Sequence, residues 1–311
     1  MLALSLDLGG THIGAAVVRD RALLACASLD CEGSRSLGSL LPAIAVLMER
    51  LVSEAGESMS RCEGLAMGFP GIVDAHTGEI LSTLKKYEDA GRLDLARWSR
   101  KSFGTRLRIE NDARMALLGE QYAGAARDAR NVLMMTLGTG IGTGVMIEGK
   151  LLRGVHFQAG CLGGHLSVNF AGRACSCGNI GCAEAEAAGW SLPAMLRDTP
   201  GFASSSLREA PKLDFRTLFT AVSHGDRVAL EVQERCLNVW AANVVSLIHA
   251  YDPELVVMGG GIMRSGDLIL PYIRNYVGKH TWTAWGKPRI IAAELGESAG
   301  LLGAVPFLEG A

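Results

Sequence analysis

A short glycine–threonine turn between two strands occurs twice in this chain, and each copy opens one half of it. Leu2 to Leu6 reads as a buried strand, Asp7-Leu8-Gly9-Gly10-Thr11-His12 as a turn, and Ile13-Gly14-Ala15-Ala16-Val17-Val18, small and β-branched, as the return strand. The pattern recurs with Asn131 to Thr136 as strand, Leu137-Gly138-Thr139-Gly140-Ile141-Gly142-Thr143-Gly144 as turn and Val145-Met146-Ile147 as return strand. A Walker loop or a dinucleotide fingerprint would lead into a helix; both of these turns lead into strands. The repetition predicts an internal duplication. Either turn alone is explained by a plain hairpin. Two of them facing each other across a cleft would clamp the phosphates of a nucleotide, because successive backbone N–H groups in such a turn can face an anion. Asp7, at the head of the first turn, could hold a magnesium ion through water.

A second signature lies between positions 165 and 184. His165, Cys175, Cys177 and Cys182 complete a four-ligand tetrahedral zinc shell with no open position, which is the pattern of a structural site. Gly178 and Gly181 allow tight turns between the ligands. Single buried thiols are ordinary, but three at this spacing in a loop-like segment favour zinc. Glu184 follows the last cysteine as a free carboxylate beside a rigid knot.

The 311 residues exceed what one core usually holds, so two lobes are expected. A net charge of −2 gives no general attraction to nucleic acid or membrane. Eight cysteines, three of them in the zinc pattern, fit a reducing cytoplasm better than a disulfide framework, with Cys26, Cys31, Cys62 and Cys236 as plain thiols. The start resembles no signal peptide, and no apolar run is long enough to span a membrane.

Helix and strand signals alternate through the rest of the chain, which places it in the α/β class. Leu37 to Ala55 has helical apolar spacing, as does Arg227 to Tyr251 with Val232, Cys236, Val239, Trp240, Val244 and Leu247 on one stripe. Gly64 to Gly68 is a strand entering a sharp turn, Leu107 to Glu110 a strand, Leu255 to Met258 a buried strand, and Ser298 to Leu308 a closing helix. Thr199 to Pro211, rich in Ser, Pro and Gly, is expected to be disordered. Asn111-Asp112 sits between a strand and a helix running through Tyr122. Helix capping alone accounts for such a pair. The position also lies at the C-terminal end of a strand, where ligands of α/β folds sit, and a carboxylate there can accept a proton from a hydroxyl.

Taken together, these segments resemble the ROK family of sugar kinases and repressors, within the actin-like ATPase (ribonuclease H-like) fold. Asp7-Leu8-Gly9-Gly10-Thr11 is similar to its first phosphate motif, Gly68-Phe69-Pro70-Gly71 to its sugar-side turn, Glu110-Asn111-Asp112-Ala113 to the segment bearing the sugar-binding Asn and catalytic base, and Leu137 to Gly142 to its second phosphate motif. The stretch from His165 to Glu184 resembles the zinc signature, Asp252-Pro253-Glu254 with Met258-Gly259-Gly260-Gly261 the segment near the adenosine, and Ala299-Gly300-Leu301-Leu302-Gly303-Ala304 the closing helix.

The resemblance implies a two-lobed fold, a duplicated glycine-hairpin core, and transfer of the ATP γ-phosphoryl to a hexose hydroxyl. Asp112 would be the general base, with Gly71, Asn111, His165 and Glu184 on the sugar. Gly9, Gly10, Thr11, Gly138, Thr139, Gly140 and Gly260 would serve the nucleotide, and Asp7 would help place Mg²⁺. His165 would bind zinc through one ring nitrogen and face the sugar with the other. Residues 1–110 would form a small lobe, 111–297 a large one, and 298–311 would pack back on the first. The expected partners are a sugar and ATP in a cytoplasmic homodimer, without nucleic acid or membrane. Regulators of the family carry an added N-terminal helix-turn-helix, for which a first strand at Leu2 leaves no room. Other acceptors, such as an N-acetylhexosamine or a ketohexose, and a non-catalytic sugar sensor remain as alternatives.

Two departures from the family pattern bear on the sugar. The usual Glu-x-Gly-His reads Cys161-Leu162-Gly163-Gly164-His165, which loses or shifts one sugar anchor, since a thiol is a weak hydrogen-bond partner. The segment after Gly71 lacks the usual Asn and Trp and reads Leu81 to Glu88; Lys85 or Lys86 could face an anionic substrate, though a solvated loop is the expectation.

Overall fold

A computed structural model describes residues 1–83 and 86–311. Its strands are β1 (Leu2–Leu8), β2 (His12–Arg19), β3 (Ala22–Asp30), β4 (Leu65–Phe69), β5 (Ile72–Asp74), β6 (Glu79–Ser82), β7 (Leu107–Asn111), β8 (Val132–Leu137), β9 (Ile141–Ile147), β10 (Lys150–Leu151), β11 (Leu255–Gly259) and β12 (Arg289–Ala292). One five-stranded sheet runs β3-β2-β1-β4-β7 and the other β10-β9-β8-β11-β12, with β5 and β6 as a separate pair. The two orders are the same topology written twice. In the first sheet β2 is antiparallel to β1 and β3, while β4 is parallel to both β1 and β7. The second repeats this with β9–β10 antiparallel and β11–β12 parallel. The duplication read from the glycine turns is therefore a duplication of whole sheets.

The helices are α1 (Leu41–Glu54), α2 (Leu95–Phe103), α3 (Asp112–Ala123), α4 (Ala183–Ala187), α5 (Leu192–Asp198), α6 (Phe215–Ser223), α7 (Arg227–Tyr251), α8 (Gly266–His280), α9 (Ala299–Leu302) and α10 (Ala304–Glu309). Among the described residues no helix is long and apolar enough to cross a membrane.

Contacts divide the chain into two units. The first comprises Met1–Met134, Gly144–Cys161 and Ala293–Ala311; the second comprises Met135–Thr143 and Leu162–Ala292. This division differs from a cut at residue 110, and the reason is α3. The Cβ of any residue replacing Gly119 would lie 1.9 Å from the Ala299 carbonyl oxygen, and at Gly303 it would lie 2.2 Å from that of Met115. Backbones touch there, so α3 and the closing segment form one packed layer. The same contact splits the expected closing helix into α9 and α10 at Gly303.

In the first unit, Leu4, Leu6, Leu8, Ile13 and Val17 of the sheet pack with Ile44, Met48 and Leu51 of α1. Helix α1 starts at Leu41 rather than Leu37, because the Leu37 and Gly38 N–H groups donate to the Asp89 carboxylate at 2.7 and 2.9 Å. In the second unit, α7 buries Val232, Cys236, Trp240, Val244 and Leu247, and the Trp240 indole donates to the Ala187 carbonyl at 2.9 Å. The stretch from Thr199 to Pro211, expected to be disordered, instead forms two short helical turns, Phe202–Ser204 and Ser206–Glu209. They are held by the buried side chain of Leu207 and by Ser205 and Ser206 donating to Asp226, each at 2.8 Å.

Candidate active site

In the first unit, the turn between β1 and β2 has its carbonyls and its N–H groups on different duties. The Gly9 N–H donates to the His12 carbonyl at 2.9 Å. The Gly9 carbonyl accepts from the Tyr87 hydroxyl at 3.0 Å, the Gly10 carbonyl from the Lys86 ammonium at 2.6 Å, and the Thr11 carbonyl from the Cys31 N–H at 2.9 Å. Among the described residues, no acceptor meets the N–H of Gly10 or Thr11. Two consecutive N–H groups left without a described acceptor form the kind of nest that can receive an anion. The Thr11 hydroxyl pairs with Nδ1 of His12 at 2.9 Å. Burial, and the Cys31 thiol beside it, push the Tyr87 phenol above its usual range, so it stays a donor.

The turn between β8 and β9, in the second unit, repeats the arrangement. The Gly138 N–H donates to the Gly140 carbonyl, and the Gly138 and Thr139 carbonyls accept from the N–H groups of Gly189 and Trp190, all at 3.0 Å. Among the described residues, the N–H groups of Thr139 and Gly140 meet no acceptor. Gly260, at the end of β11 with φ of +89°, presses on Leu137 so closely that a Cβ would lie 2.3 Å from its carbonyl oxygen.

Asp7 sits at the end of β1, hemmed in by glycines. A Cβ at Gly68 would lie 3.1 Å from its Oδ1, and one at Gly300 would lie 2.7 Å from Oδ2. Among the described residues no hydrogen-bond donor reaches its carboxylate. Burial first, and the nearby charge of Asp112 second, raise Asp7 to about 7. Gly68 stands between the two acids, its Cβ position also 3.5 Å from the Asp112 Cα.

The strand–helix junction at β7 and α3 holds Asn111 and Asp112. The capping reading of this pair is seen directly. Oδ1 of Asn111 caps α3 by accepting from the Arg114 N–H at 3.2 Å, while Nδ2 donates to the Gly71 carbonyl at 3.1 Å and to Oδ1 of Asp112 at 3.0 Å. The same Asp112 oxygen accepts from the Ala113 N–H at 2.8 Å. Gly71 is confined between Ser82 and the Phe69 ring, where a Cβ would lie 2.2 Å from the Ser82 carbonyl oxygen.

Behind this junction lies a buried charge network that sequence reasoning missed. Glu110, fully buried, accepts from the Asn111 N–H at 2.9 Å, Arg114 Nη1 at 3.2 Å and Arg153 Nε at 2.7 Å. Arg114, also fully buried, donates through Nη2 to the carbonyls of Phe157 and Ala159 at 3.1 and 2.7 Å. The only sequence signal was two charged residues four apart at the start of a helix. Cys161, expected to be a lost or shifted sugar anchor, is buried and donates to the Gln158 and Phe157 carbonyls at 3.5 and 3.7 Å; burial pushes its thiol up.

In the second unit, the ligand atoms of His165, Cys175, Cys177 and Cys182 all lie within 4.8 Å of one another. Nδ1 of His165 is 3.5 Å from Sγ of Cys175, and Sγ of Cys177 is 3.7 Å from Sγ of Cys182. Left-handed turns at Gly178 and Gly181, with φ of +94° and +66°, fold the segment back on itself. The extra glycine near His165 has a local cause: a Cβ at Gly164 would lie 2.1 Å from the Ile141 carbonyl oxygen. Glu184 is not a free carboxylate. Its Oε2 accepts from the Ile141 N–H at 2.9 Å and its Oε1 from the Trp190 indole at 3.2 Å. Glu184 is thereby built into the end of the second turn. Trp190, absent from the sequence reading, is half-exposed there.

Lys86, expected in a solvated loop, is partly buried on the first turn; Lys85 lies outside the described residues. A cavity of about 250 Å³ elsewhere in the first unit, lined by Thr77, Glu79, Ile80 and Asp94 among others, contains none of the expected site residues.

A family model described as "ROK family" matches residues 3–310. The chain belongs to the ROK family. ROK relatives span it along its whole length. It is 34% identical over 251 residues to a glucokinase of Thermotoga maritima, covering 79% of this chain and 78% of that one. It superposes on a ROK hexokinase from Thermus thermophilus with a TM-score of 0.77 at 34% identity, covering 99% of this chain and 97% of that one. A ROK family glucokinase from Streptomyces griseus, in complex with glucose and AMPPNP, superposes with a TM-score of 0.81 at 28% identity over the whole of both chains. The ROK fold, with its actin-like ATPase core, is thus the duplicated α/β architecture described above.

Proposed function

We propose that this chain is an ATP-dependent sugar kinase that transfers the γ-phosphoryl group to a hexose hydroxyl, with glucose as its default acceptor and Asp112 as general base. The observation that carries the reading is the matched pair of nests, each presenting two adjacent N–H groups, one at the end of β1 and one at the end of β8. Phosphoryl transfer asks a protein mainly for positioning and charge stabilisation, and backbone N–H groups held in place supply both.

In the reaction the acceptor oxygen bonds to the γ-phosphorus, the bond to the bridging oxygen breaks, ADP leaves, and the hydroxyl proton passes to Asp112. The hydrogen bonds from Asn111 and Ala113 fix one Asp112 oxygen in place. Asn111, Gly71, His165 and Glu184 orient the sugar; the N–H groups of Gly10, Thr11, Thr139 and Gly140 take the phosphates, with Gly9 and Gly260 shaping the turns.

Asp7 suits a divalent cation: a carboxylate without a protein donor, already raised by burial and by Asp112, is relieved by positive charge. Mg²⁺ bound with the nucleotide would supply charge neutralisation at the phosphates. The His165–Cys175–Cys177–Cys182 cluster suits zinc. Zn–N and Zn–S bonds of about 2.0–2.3 Å in a tetrahedron have edges of about 3.5–3.8 Å, which fits the 3.5 and 3.7 Å separations. Zinc there would be structural, holding the His165 ring through Nδ1 so that Nε2 faces the sugar. The cytoplasm is the compartment this reading implies, and a homodimer the assembly.

The test is ADP release with ATP·Mg²⁺ across glucose, mannose, fructose and N-acetylhexosamines, with polyphosphate as a second donor. Turnover with glucose supports the reading; preference for an N-acetylhexosamine or fructose moves the acceptor within the kinase class; no turnover with any sugar and either donor overturns it in favour of a sugar-binding protein without catalysis.

A further inference from the structure

In a trans peptide the C=O and the following N–H point in opposite directions. The Gly9 carbonyl shares a peptide with the Gly10 N–H, and the Gly10 carbonyl shares one with the Thr11 N–H. These are the two N–H groups of the first nest. Their partner carbonyls are the ones gripped by the Tyr87 hydroxyl at 3.0 Å and the Lys86 ammonium at 2.6 Å. The second turn is built the same way, with the Gly138 and Thr139 carbonyls held so that the Thr139 and Gly140 N–H groups face away. There, however, the holders are the backbone N–H groups of Gly189 and Trp190. Among the described residues, only in the first turn are these carbonyls held by side chains, and one of the side chains is charged.

We propose that Lys86 and Tyr87 are positioning residues of the phosphate site, which aim and polarise the Gly10 and Thr11 N–H groups from behind without touching substrate. This deepens the kinase reading and rests on it. Hydrogen bonds in series strengthen one another, so an ammonium on one end of a peptide makes the N–H at the other end a better donor to an anion. The local backbone is shaped for the task. Tyr87 adopts φ of +52°, a conformation that aromatic residues rarely take and that costs energy. The bend there lets two consecutive side chains reach one turn, where an extended chain would send them to opposite faces. Tyr87 is fully buried, its ring 6.2 Å from that of Phe69. Lys86 is anchored further by the Ser34 carbonyl at 3.4 Å and lies over the Tyr87 ring, its Nζ 4.7 Å from the centroid. Its charge therefore serves the nucleotide and not an anionic sugar.

Lys86→Met, Lys86→Arg and Tyr87→Phe test this, by steady-state kinetics and by calorimetric titration with Mg²⁺·AMPPNP. Lys86→Met is expected to weaken nucleotide binding and raise KM for ATP by about tenfold, as loss of a charged hydrogen bond would, with KM for the sugar unchanged. Lys86→Arg should restore most of the loss, and Tyr87→Phe should show a smaller loss in the same direction. Unchanged nucleotide affinity in Lys86→Met, or a change confined to KM for the sugar, overturns the inference. If Lys86→Met fails to fold, the Arg and Phe variants decide: wild-type nucleotide affinity in Tyr87→Phe together with loss in Lys86→Arg contradicts it. The titration needs no turnover, so a wild-type protein that phosphorylates no sugar would sink the kinase reading and leave this test standing.

Discussion

The Asn111 side chain donates to Oδ1 of Asp112 at 3.0 Å while its own Oδ1 caps the helix that Asp112 begins. One amide thus holds both the helix cap and the proposed base. Asn111→Ala should lower unfolding free energy by about 1–2 kcal/mol through the lost cap and also lower kcat, because Asp112 loses a donor that orients it. Asn111→Ser, which can still cap, should recover the stability but not the rate. Urea unfolding and kcat measured on both variants check the separation.

The Glu110–Arg114–Arg153 network supports the same junction from within. Arg114→Met leaves part of a buried carboxylate uncompensated, at an expected cost of about 3 kcal/mol. The measurement is the shift in denaturation midpoint at constant m-value. A change near zero would mean that Arg153 and the Asn111 N–H alone satisfy Glu110.

Asp7 gives the ligand-free protein a signed pH dependence. Its folded value of about 7 lies above the ordinary carboxylate value of 3.8, so the folded state binds the extra proton between those values. Its contribution to stability is present below about pH 4 and is lost as pH rises through 7. A cation that takes the place of the proton removes the loss, so the rise in Tm caused by Mg²⁺·AMPPNP should grow from pH 5.5 to pH 8. Since Asp112 is one of the two causes of the shift, Asp112→Asn should move that growth to lower pH. Melting curves across this range, with and without Mg²⁺, carry the test.

The cysteine cluster predicts about one zinc per chain. Cys182 is fully buried, and without a cation burial and its neighbouring thiols push it up to about 12. Cys182→Ser should lose the metal and lower Tm. It should also impair sugar binding more than nucleotide binding, because His165 would no longer be oriented. Elemental analysis and separate titrations with glucose and Mg²⁺·AMPPNP distinguish these outcomes.

What the sequence disclosed, and what it hid, follow from the range of the interactions. The glycine turns, the His/Cys spacing and the stripe on α7 are local patterns, and the repeated turns pointed to the repeated strand order of the two sheets. Three readings failed where a distant partner decides. Lys86 looked like a solvated loop residue because the Gly10 carbonyl that holds it is 76 positions away. Glu184 looked free because the Ile141 N–H it binds belongs to another element. The stretch from Thr199 to Pro211 has a disordered composition, yet Asp226 and a buried Leu207 order it. Strand β3 and helix α8 also went unread. Residues 22–30 expose alternate side chains without strong hydrophobic contrast, and α8 carries Pro271 inside it.

The central claim is that Asp112 takes the proton from the acceptor hydroxyl. Its most direct test is ADP release by Asp112→Asn with ATP·Mg²⁺ and the best acceptor sugar, run beside the wild type. The account predicts turnover reduced by about 10²–10⁴-fold, with zinc content and the fold measured by circular dichroism unchanged. Turnover near the wild-type rate in a correctly folded, zinc-loaded variant would contradict it.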